Sequence, residues 1–165
     1  MIFLIENNIK PKVYIETSIP SYLTAWRSPD LVMAANQETT KEWWDNREQF
    51  ELYVSILVIQ EASAGDLNAA KRRLEQLNGI PEISITEEIE KFAEILLQKI
   101  PLPKKAKIDA LHIAVATVGG MDYLLTWNCA HIANAILRPK VEMLCREFGY
   151  EPPIICTPQE LKRYE

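Results

Sequence analysis

The sequence predicts an α/β fold with a central, mainly parallel sheet that helices cover on both faces. Short apolar segments rich in β-branched residues alternate along the chain with longer segments of helical periodicity. Strands separated by helices favour right-handed crossovers and a parallel sheet. The length of 165 residues and the apolar content of 48% fit one globular domain that buries a sizeable core without disulfides or a structural metal.

The first half of the chain predicts two strands, each followed by helical sequence. Residues 13–15 are apolar, and the threonine, serine and proline that follow them predict a turn and a helix start. Residues 38–49 place two tryptophans on a polar background, which predicts an amphipathic helix before a strand at 52–55. Residues 57–64 predict a short helix, and Asp66 is a natural N-cap for the next helix, whose leucines recur at helical spacing.

The second half predicts three further strands. Residues 83–85 alternate between apolar and polar, and Thr86 begins a capping box with glutamates in the first turn of a helix. Residues 106–118 resume helical periodicity until two glycines end it, and residues 123–126 predict a short strand. Residues 130–148 predict a helix that is broken near Pro139. The last predicted elements are a strand at 154–156 and a terminal helix opened by Pro158.

Composition excludes several classes of protein. The formal net charge of −5 argues against a protein that coats nucleic acid by broad electrostatic attraction, so any contact with nucleic acid must be local. Cys129, Cys145 and Cys156 show no Cys-x-x-Cys spacing, and reduced thiols are expected. No basic leader precedes the opening apolar run, and no segment approaches the ~18 apolar residues of a membrane span. The sequence therefore predicts a cytoplasmic protein with no membrane association.

Four polar residues stand where apolar sequence surrounds them: Glu16, Glu61, Asp109 and Asn128. Glu16 and Asn128 each follow a predicted strand at its carboxyl end, where ligands bind in open parallel sheets. Glu61 lies in an otherwise apolar helical segment, and Asp109 begins the most apolar helix of the chain. A cap, a turn or a solvated helix face explains each of them when it is taken alone, so the hypothesis of a shared site depends on their combination.

Converging carboxylates repel one another until a cation neutralises them. Mg²⁺ accepts oxygen ligands and usually needs only one or two carboxylates together with substrate phosphates. Glu16, Glu61 and Asp109 are therefore the predicted metal ligands, and with Asn128 they form the predicted catalytic set. A divalent metal held there would activate water for attack on a phosphodiester.

Four segments in order carry a resemblance to a known family. They are Val-Tyr-Ile-Glu-Thr-Ser at 13–18, Val-Ile-Gln-Glu-Ala at 58–62, Ile-Asp-Ala-Leu-His-Ile-Ala-Val-Ala at 108–116 and Leu-Leu-Thr-Trp-Asn at 124–128. Together with the order of elements around them, these segments resemble the PIN-domain family, particularly the toxin ribonucleases of VapBC toxin–antitoxin pairs. Each motif is short, and the match is specific because all four occur in order, each on the expected element.

The resemblance implies a three-layer α/β/α sandwich, PIN-like, over residues 12–165, with residues 1–11 as an N-terminal extension. It implies an endoribonuclease activity that depends on Mg²⁺ or Mn²⁺, and a homodimer. It also implies a cognate antitoxin whose carboxyl-terminal segment would block the acidic groove. Glu61 and Asp109 match the family pattern unchanged.

Two positions depart from the family pattern, which has Asp where this chain has Glu16 and Asn128. Glu16 keeps the charge but carries its oxygens one methylene further out, and Asn128 keeps an oxygen while removing a charge. These departures keep an alternative open, in which a weakly active or inactive PIN-like module binds RNA or a protein partner. A third interpretation, a structural interaction domain with incidental acids, predicts no binding of divalent ions.

Other polar residues near the four motifs receive supporting roles. Hydroxyl groups that could bond the acids or a metal-bound water belong to Thr17, Ser18 and Thr126. Basic residues predicted to contact RNA phosphates are Lys104, Lys105, Lys107 and Arg27. His112 and His131 are expected to be structural, since metal-assisted hydrolysis of this kind requires no histidine base.

Overall fold

The computed structural model describes residues 9–162, in which five parallel strands form one sheet. The strands are β1 (Lys12–Ile15), β2 (Glu51–Ser55), β3 (Glu82–Ile83), β4 (Tyr123–Leu125) and β5 (Ile154–Cys156). Their order across the sheet is β3-β2-β1-β4-β5, and every neighbouring pair is parallel. The predicted three-layer α/β/α sandwich of PIN-like type is confirmed.

Seven α-helices connect these strands. They are α1 (Ser18–Thr24), α2 (Leu31–Asp45), α3 (Ile56–Ala62), α4 (Leu67–Leu77), α5 (Glu87–Lys99), α6 (Lys107–Val118) and α7 (Arg138–Glu147). Central strand β1 is buried on both faces, with Val13, Tyr14 and Ile15 at 0% exposure. A strand covered on both sides must be apolar throughout, which explains why its sequence shows no alternation.

Successive strands are added to one side of β1 and then to the other, and this reversal fixes where a site can form. The connection from β1 leads outward to β2 and β3, whereas β4 and β5 lie on the other side of β1. In open parallel sheets this switch of direction leaves a crevice beyond the carboxyl ends of the two strands that flank it. Here those strands are β1 and β4, which pair from Val13 with Tyr123 to Ile15 with Leu125.

Two predicted helices begin at other residues than expected. Helix α2 begins at Leu31, seven residues before the predicted start, because Asp30 caps it by accepting a hydrogen bond from the Met33 amide. The exposed Leu31 and Val32 in its first turn conceal the amphipathic pattern. The predicted helix over 130–148 is wrong before Arg138, since Asn134 turns the chain there by accepting a hydrogen bond from the Ile136 amide.

The chain ends are described only in part. The terminal helix predicted at Pro158 is a turn over residues 158–160, where the Glu160 carboxylate accepts hydrogen bonds from the amide and hydroxyl of Thr157. Of the predicted extension 1–11, residues 1–8 lie outside the described residues, and the Pro11 carbonyl accepts a hydrogen bond from the Glu51 amide beside β1. Within residues 9–162 no helix is both long and apolar enough to cross a membrane.

Candidate active site at the switch of the sheet

The crevice beyond β1 and β4 collects the predicted site residues from four elements. Glu16 directly follows β1, and Thr126 and Asn128 follow β4. A backbone hydrogen bond from the Glu16 amide to the Leu125 carbonyl (3.1 Å) fixes the two strand ends together. Glu61 arrives on α3 and Asp109 on the first turn of α6.

Glu16 is buried, at 5% exposure, and both of its carboxylate oxygens accept hydrogen bonds. The Ser18 amide donates to Oε2 at 2.6 Å, and the Thr126 hydroxyl donates to Oε1 at 2.9 Å. The Ser18 hydroxyl lies 3.4 Å from that of Thr126 and accepts a hydrogen bond from the Trp127 amide at 2.7 Å. Two of the predicted supporting residues, Ser18 and Thr126, therefore bind the strand ends together around Glu16.

Asn128 links this group to Asp109. Its amide nitrogen Nδ2 donates to Asp109 Oδ1 at 3.0 Å, while its Oδ1 accepts from the backbone amide of His131 at 3.0 Å. The backbone donor fixes the orientation of the side chain, because an N–H must face the amide oxygen. Asn128 thus donates to Asp109, where a second carboxylate would repel it. The other oxygen of Asp109 lies 2.9 Å from Nδ1 of His131.

Glu61 lies on the outer side of the crevice, with its side chain 43% exposed. Its Oε1 accepts a hydrogen bond from the Thr17 hydroxyl at 2.8 Å and lies 2.6 Å from Nε2 of His112. The His112 ring is 2% exposed, and its Nδ1 lies 2.7 Å from the hydroxyl of Tyr14. The third predicted supporting residue, Thr17, therefore contacts Glu61 and not Glu16.

Burial and hydrogen bonding move the two glutamates in opposite directions. Burial raises the pKa of Glu16 above its ordinary value, against the lowering effects of His112 and of the hydrogen bonds from Ser18 and Thr126. Burial also acts to raise the pKa of Glu61, but the hydrogen bond and the charge of His112, with the Thr17 hydroxyl, lower it on balance. At neutral pH, Glu61 is the more firmly ionised of the two.

The side chains offer oxygen donors, which is the chemistry that Mg²⁺ and Mn²⁺ select. Among residues 9–162, no three acidic, histidine or cysteine side chains come together as a group that could hold a metal. A Mg²⁺ site commonly needs only one or two carboxylates, and two of the predicted ligands, Glu61 and Asp109, are partly exposed. Glu16, with both oxygens accepting hydrogen bonds in the interior, remains a predicted ligand on sequence grounds.

The two histidines contact the predicted acids, which the sequence did not indicate. Both were expected to be structural, yet each lies within hydrogen-bonding distance of a predicted catalytic acid. One signal was present: His112 follows Asp109 by three residues, and therefore lies on a neighbouring position of the same helix face. Nothing in the local sequence shows that His112 meets Glu61, which is 51 residues away along the chain.

The predicted RNA-binding residues lie on the surface near the site elements. Lys104 and Lys105 belong to a short turn of 3₁₀ helix before α6, and Lys107 is the first residue of α6. All three are exposed, as is Arg27 in the loop between α1 and α2. Trp26, beside Arg27, is 79% exposed and packs over the Arg72 guanidinium at 4.9 Å.

Comparisons with known proteins agree with this architecture. The family model of the PIN domain matches residues 13–128, a range that contains all four predicted catalytic residues. No curated protein sequence matches the chain significantly. Among solved structures, the chain is similar to the crystal structure of Mycobacterium tuberculosis VapC20, described as a toxin that cleaves the sarcin–ricin loop. The TM-score is 0.56 at 18% identity, covering 72% of this chain and 92% of the other. At that identity the likeness concerns the fold.

Proposed function

This chain belongs to the PIN-domain family, and from that membership we propose that it is a VapC-like endoribonuclease that hydrolyses RNA phosphodiester bonds. The observation that carries the proposal is the convergence of Glu16, Glu61, Asp109 and Asn128 from four distant segments on one crevice. Hydrogen bonds join Glu16, Asn128 and Asp109 through Thr126. Glu61 bonds Thr17, the residue after Glu16, and His112, on the same helix as Asp109. A purely structural domain has no need to bring charged groups together at the switch of its sheet.

Glu61 and Asp109 are the residues that would hold a divalent metal, Mg²⁺ or Mn²⁺. When bound, such a metal lowers the pKa of water and offsets charge that develops on a phosphodiester under attack. Asn128 and His131 orient Asp109, since each contacts a different carboxylate oxygen. His112 and Thr17 both contact Oε1 of Glu61, so Oε2 is the oxygen left for the reaction.

Glu16 has a different role in this proposal, because its oxygens are turned to the chain itself. Its Oε1 accepts a hydrogen bond from the Thr126 hydroxyl, and that hydroxyl accepts a hydrogen bond from the backbone amide of Asn128 at 2.9 Å. Glu16 therefore fixes the loop that carries Asn128 against Asp109. This arrangement accommodates the longer side chain at a position where the family pattern has aspartate.

RNA would approach over the exposed basic residues that precede Asp109. Lys104, Lys105 and Lys107 provide local positive charge in a chain whose net charge is −5, and Arg27 provides a further contact. Binding through a few such residues weakens with salt in proportion to the number of phosphates neutralised. For a VapC-like protein we expect a cognate antitoxin as a partner and assembly into a homodimer.

A second candidate function is a PIN-like module that binds RNA or a protein partner and cleaves poorly. One observation favours it: the acids already have side-chain partners within the chain, namely Asn128 and His131 at Asp109 and His112 at Glu61. Carboxylates that have such partners attract a cation less strongly than bare ones.

The deciding experiment measures cleavage of labelled RNA across Mg²⁺ and Mn²⁺ concentrations. Glu61→Gln and Asp109→Asn remove one charge each from the site, and Glu94→Gln and Asp45→Asn make the same changes on exposed helical positions of α5 and α2. Cleavage that needs the metal, falls sharply in the first pair and persists in the second supports the proposal. Equal cleavage in all variants would refute the site, and RNA binding without cleavage would favour the second candidate.

A further inference from the structure

A line of hydrogen-bonded side chains runs from the interior to Glu61. The Ser55 hydroxyl lies 2.8 Å from the Tyr14 hydroxyl, which lies 2.7 Å from Nδ1 of His112, and Nε2 of His112 lies 2.6 Å from Oε1 of Glu61. We call these four residues the buried relay. Ser55 and Tyr14 are fully buried and His112 is 1% exposed, whereas Glu61 reaches solvent.

Burying the polar groups of the relay costs free energy, so their presence in the interior calls for an explanation beyond packing. A hydroxyl or imidazole in the interior is costly unless each polar atom finds a partner. The four residues come from β2, β1, α6 and α3, so no local turn or cap explains them. An apolar side chain at 112 would fill the same space beside Tyr14 without that cost.

The geometry of the relay restrains both ends of the imidazole. The Nε2 proton faces Glu61, while Nδ1 faces the Tyr14 hydroxyl, which can donate to a neutral ring or accept from a protonated one. Burial raises the pKa of the Tyr14 phenol, so the phenol keeps its own proton. Because Tyr14 and Glu61 hold opposite sides of the ring, the imidazole cannot turn without breaking a hydrogen bond at one side.

We infer that His112 is a positioning residue for RNA cleavage: through its Nε2 contact it fixes Glu61 Oε1 and directs Oε2 into the crevice. This inference rests on the proposed ribonuclease function and deepens it. Thr17 holds the same Oε1 from the other side, so His112 and Thr17 together define one orientation of a side chain that has three rotatable bonds. Partners that orient a metal-binding side chain in this way are commonly worth roughly 10- to 100-fold in activity.

Two substitutions at position 112 separate the two ring contacts. The amide of asparagine can take the place of Nδ1, so His112→Asn keeps a partner for Tyr14 and loses the contact with Glu61. The longer glutamine brings its amide nitrogen to the place of Nε2, so His112→Gln keeps a donor for Glu61. Thr117→Val is the matched control, since it removes another buried hydroxyl from α6, one that donates to the Ile113 carbonyl instead of the relay.

The expected result is a loss in kcat of roughly 10- to 100-fold for His112→Asn, with the KM for RNA within about two-fold of the native value. His112→Gln recovers a large part of kcat, and Thr117→Val leaves it unchanged. In the Glu61→Gln background, His112→Asn produces no further loss in residual cleavage, because residues that act through one another are not additive. Equal losses in the asparagine and glutamine variants, or additive losses with Glu61→Gln, would overturn the inference.

A measurement that needs no RNA separates this inference from the proposed function. The NMR shifts of the His112 ring nitrogens in the native chain should change at Nε2 on Glu61→Gln and at Nδ1 on Tyr14→Phe. An unchanged Nε2 shift overturns the inference whatever the activity. A native protein that shows both shifts and cleaves no RNA with either metal refutes the proposed function, and with it the catalytic role of His112. A His112→Asn variant that cleaves RNA as well as the native protein does refutes only the inference.

Discussion

Replacing Thr126 by valine removes the hydroxyl that joins the two strand ends of the site. Thr126 is fully buried. Its hydroxyl donates to Glu16 Oε1 at 2.9 Å and accepts from the Asn128 amide at 2.9 Å. Valine has nearly the same shape, so Thr126→Val creates no cavity. It leaves the buried Glu16 carboxylate and the partly buried backbone amide of Asn128 without this partner.

The magnitude follows from those two contacts. A hydrogen bond to a charged group contributes about 1.5–3 kcal/mol, and a backbone amide left unpaired costs about 1 kcal/mol or more. We therefore expect Thr126→Val to lower the free energy of unfolding by about 3 kcal/mol at a pH at which Glu16 is ionised. At about 2–4 °C per kcal/mol for a domain of this size, Tm should fall by roughly 6–12 °C.

The pH dependence of this loss has a definite sign. Burial raises the pKa of Glu16, and the Thr126 hydroxyl is one of the groups that lower it. Without that hydroxyl the pKa of Glu16 in the folded state rises further. At any pH at which Glu16 ionises, the variant therefore loses more free energy of unfolding than the native chain does. The stability difference should be largest at high pH and should shrink as pH falls below the native folded-state pKa, where Glu16 is protonated in both proteins.

Urea unfolding from pH 4 to pH 8 in the presence of a chelator, roughly spanning the range over which buried carboxyls titrate, checks this reasoning. Thr117→Val is the control, since it removes a buried hydroxyl that donates to a carbonyl four residues earlier in its own helix. The reasoning would be refuted if Thr126→Val cost no more than Thr117→Val, or if its cost grew towards acid pH.

Three further predictions concern other parts of the molecule. Glu61→Gln should remove a stabilising contribution that is present above the ordinary glutamate pKa and lost as pH falls through the lowered folded-state value; the urea midpoints of the two proteins should differ at neutral pH and converge in strong acid. Asp66→Ala should lower the free energy of unfolding by about 1 kcal/mol, because Asp66 caps α4 by accepting a hydrogen bond from the Ala69 amide. If the Tm measured by circular dichroism did not change, the result would contradict this role of Asp66. Trp26→Ala should lower stability by less than about 1 kcal/mol, since the ring is 79% exposed; a larger loss in calorimetry would show that it supports the core.

Much of the fold was accessible from local sequence because each strand and most helices carry their own signal. The apolar run before Glu16, the cap at Asp66 and the capping residue Thr86 all lie where the structure has them. Prediction was wrong where side chains redirect the backbone over a few residues, as between Asn128 and Arg138. There the side chains of Asn128 and Asn134 accept backbone hydrogen bonds that a helix would have used.

Local sequence is enough to predict the family, the parallel sheet and the four residues proposed for the site, because the motifs are local and the carboxyl ends of parallel strands meet at one edge. The partners of those four residues depend on how distant elements pack together. Glu16 turns inward to Ser18 and Thr126, Asn128 donates to Asp109, and His112 connects Glu61 to Tyr14. These contacts join residues that are up to 110 positions apart. The physical reason is that a hydrogen bond depends on direction and on tenths of an ångström, which the packing of separate elements sets and which no local pattern encodes.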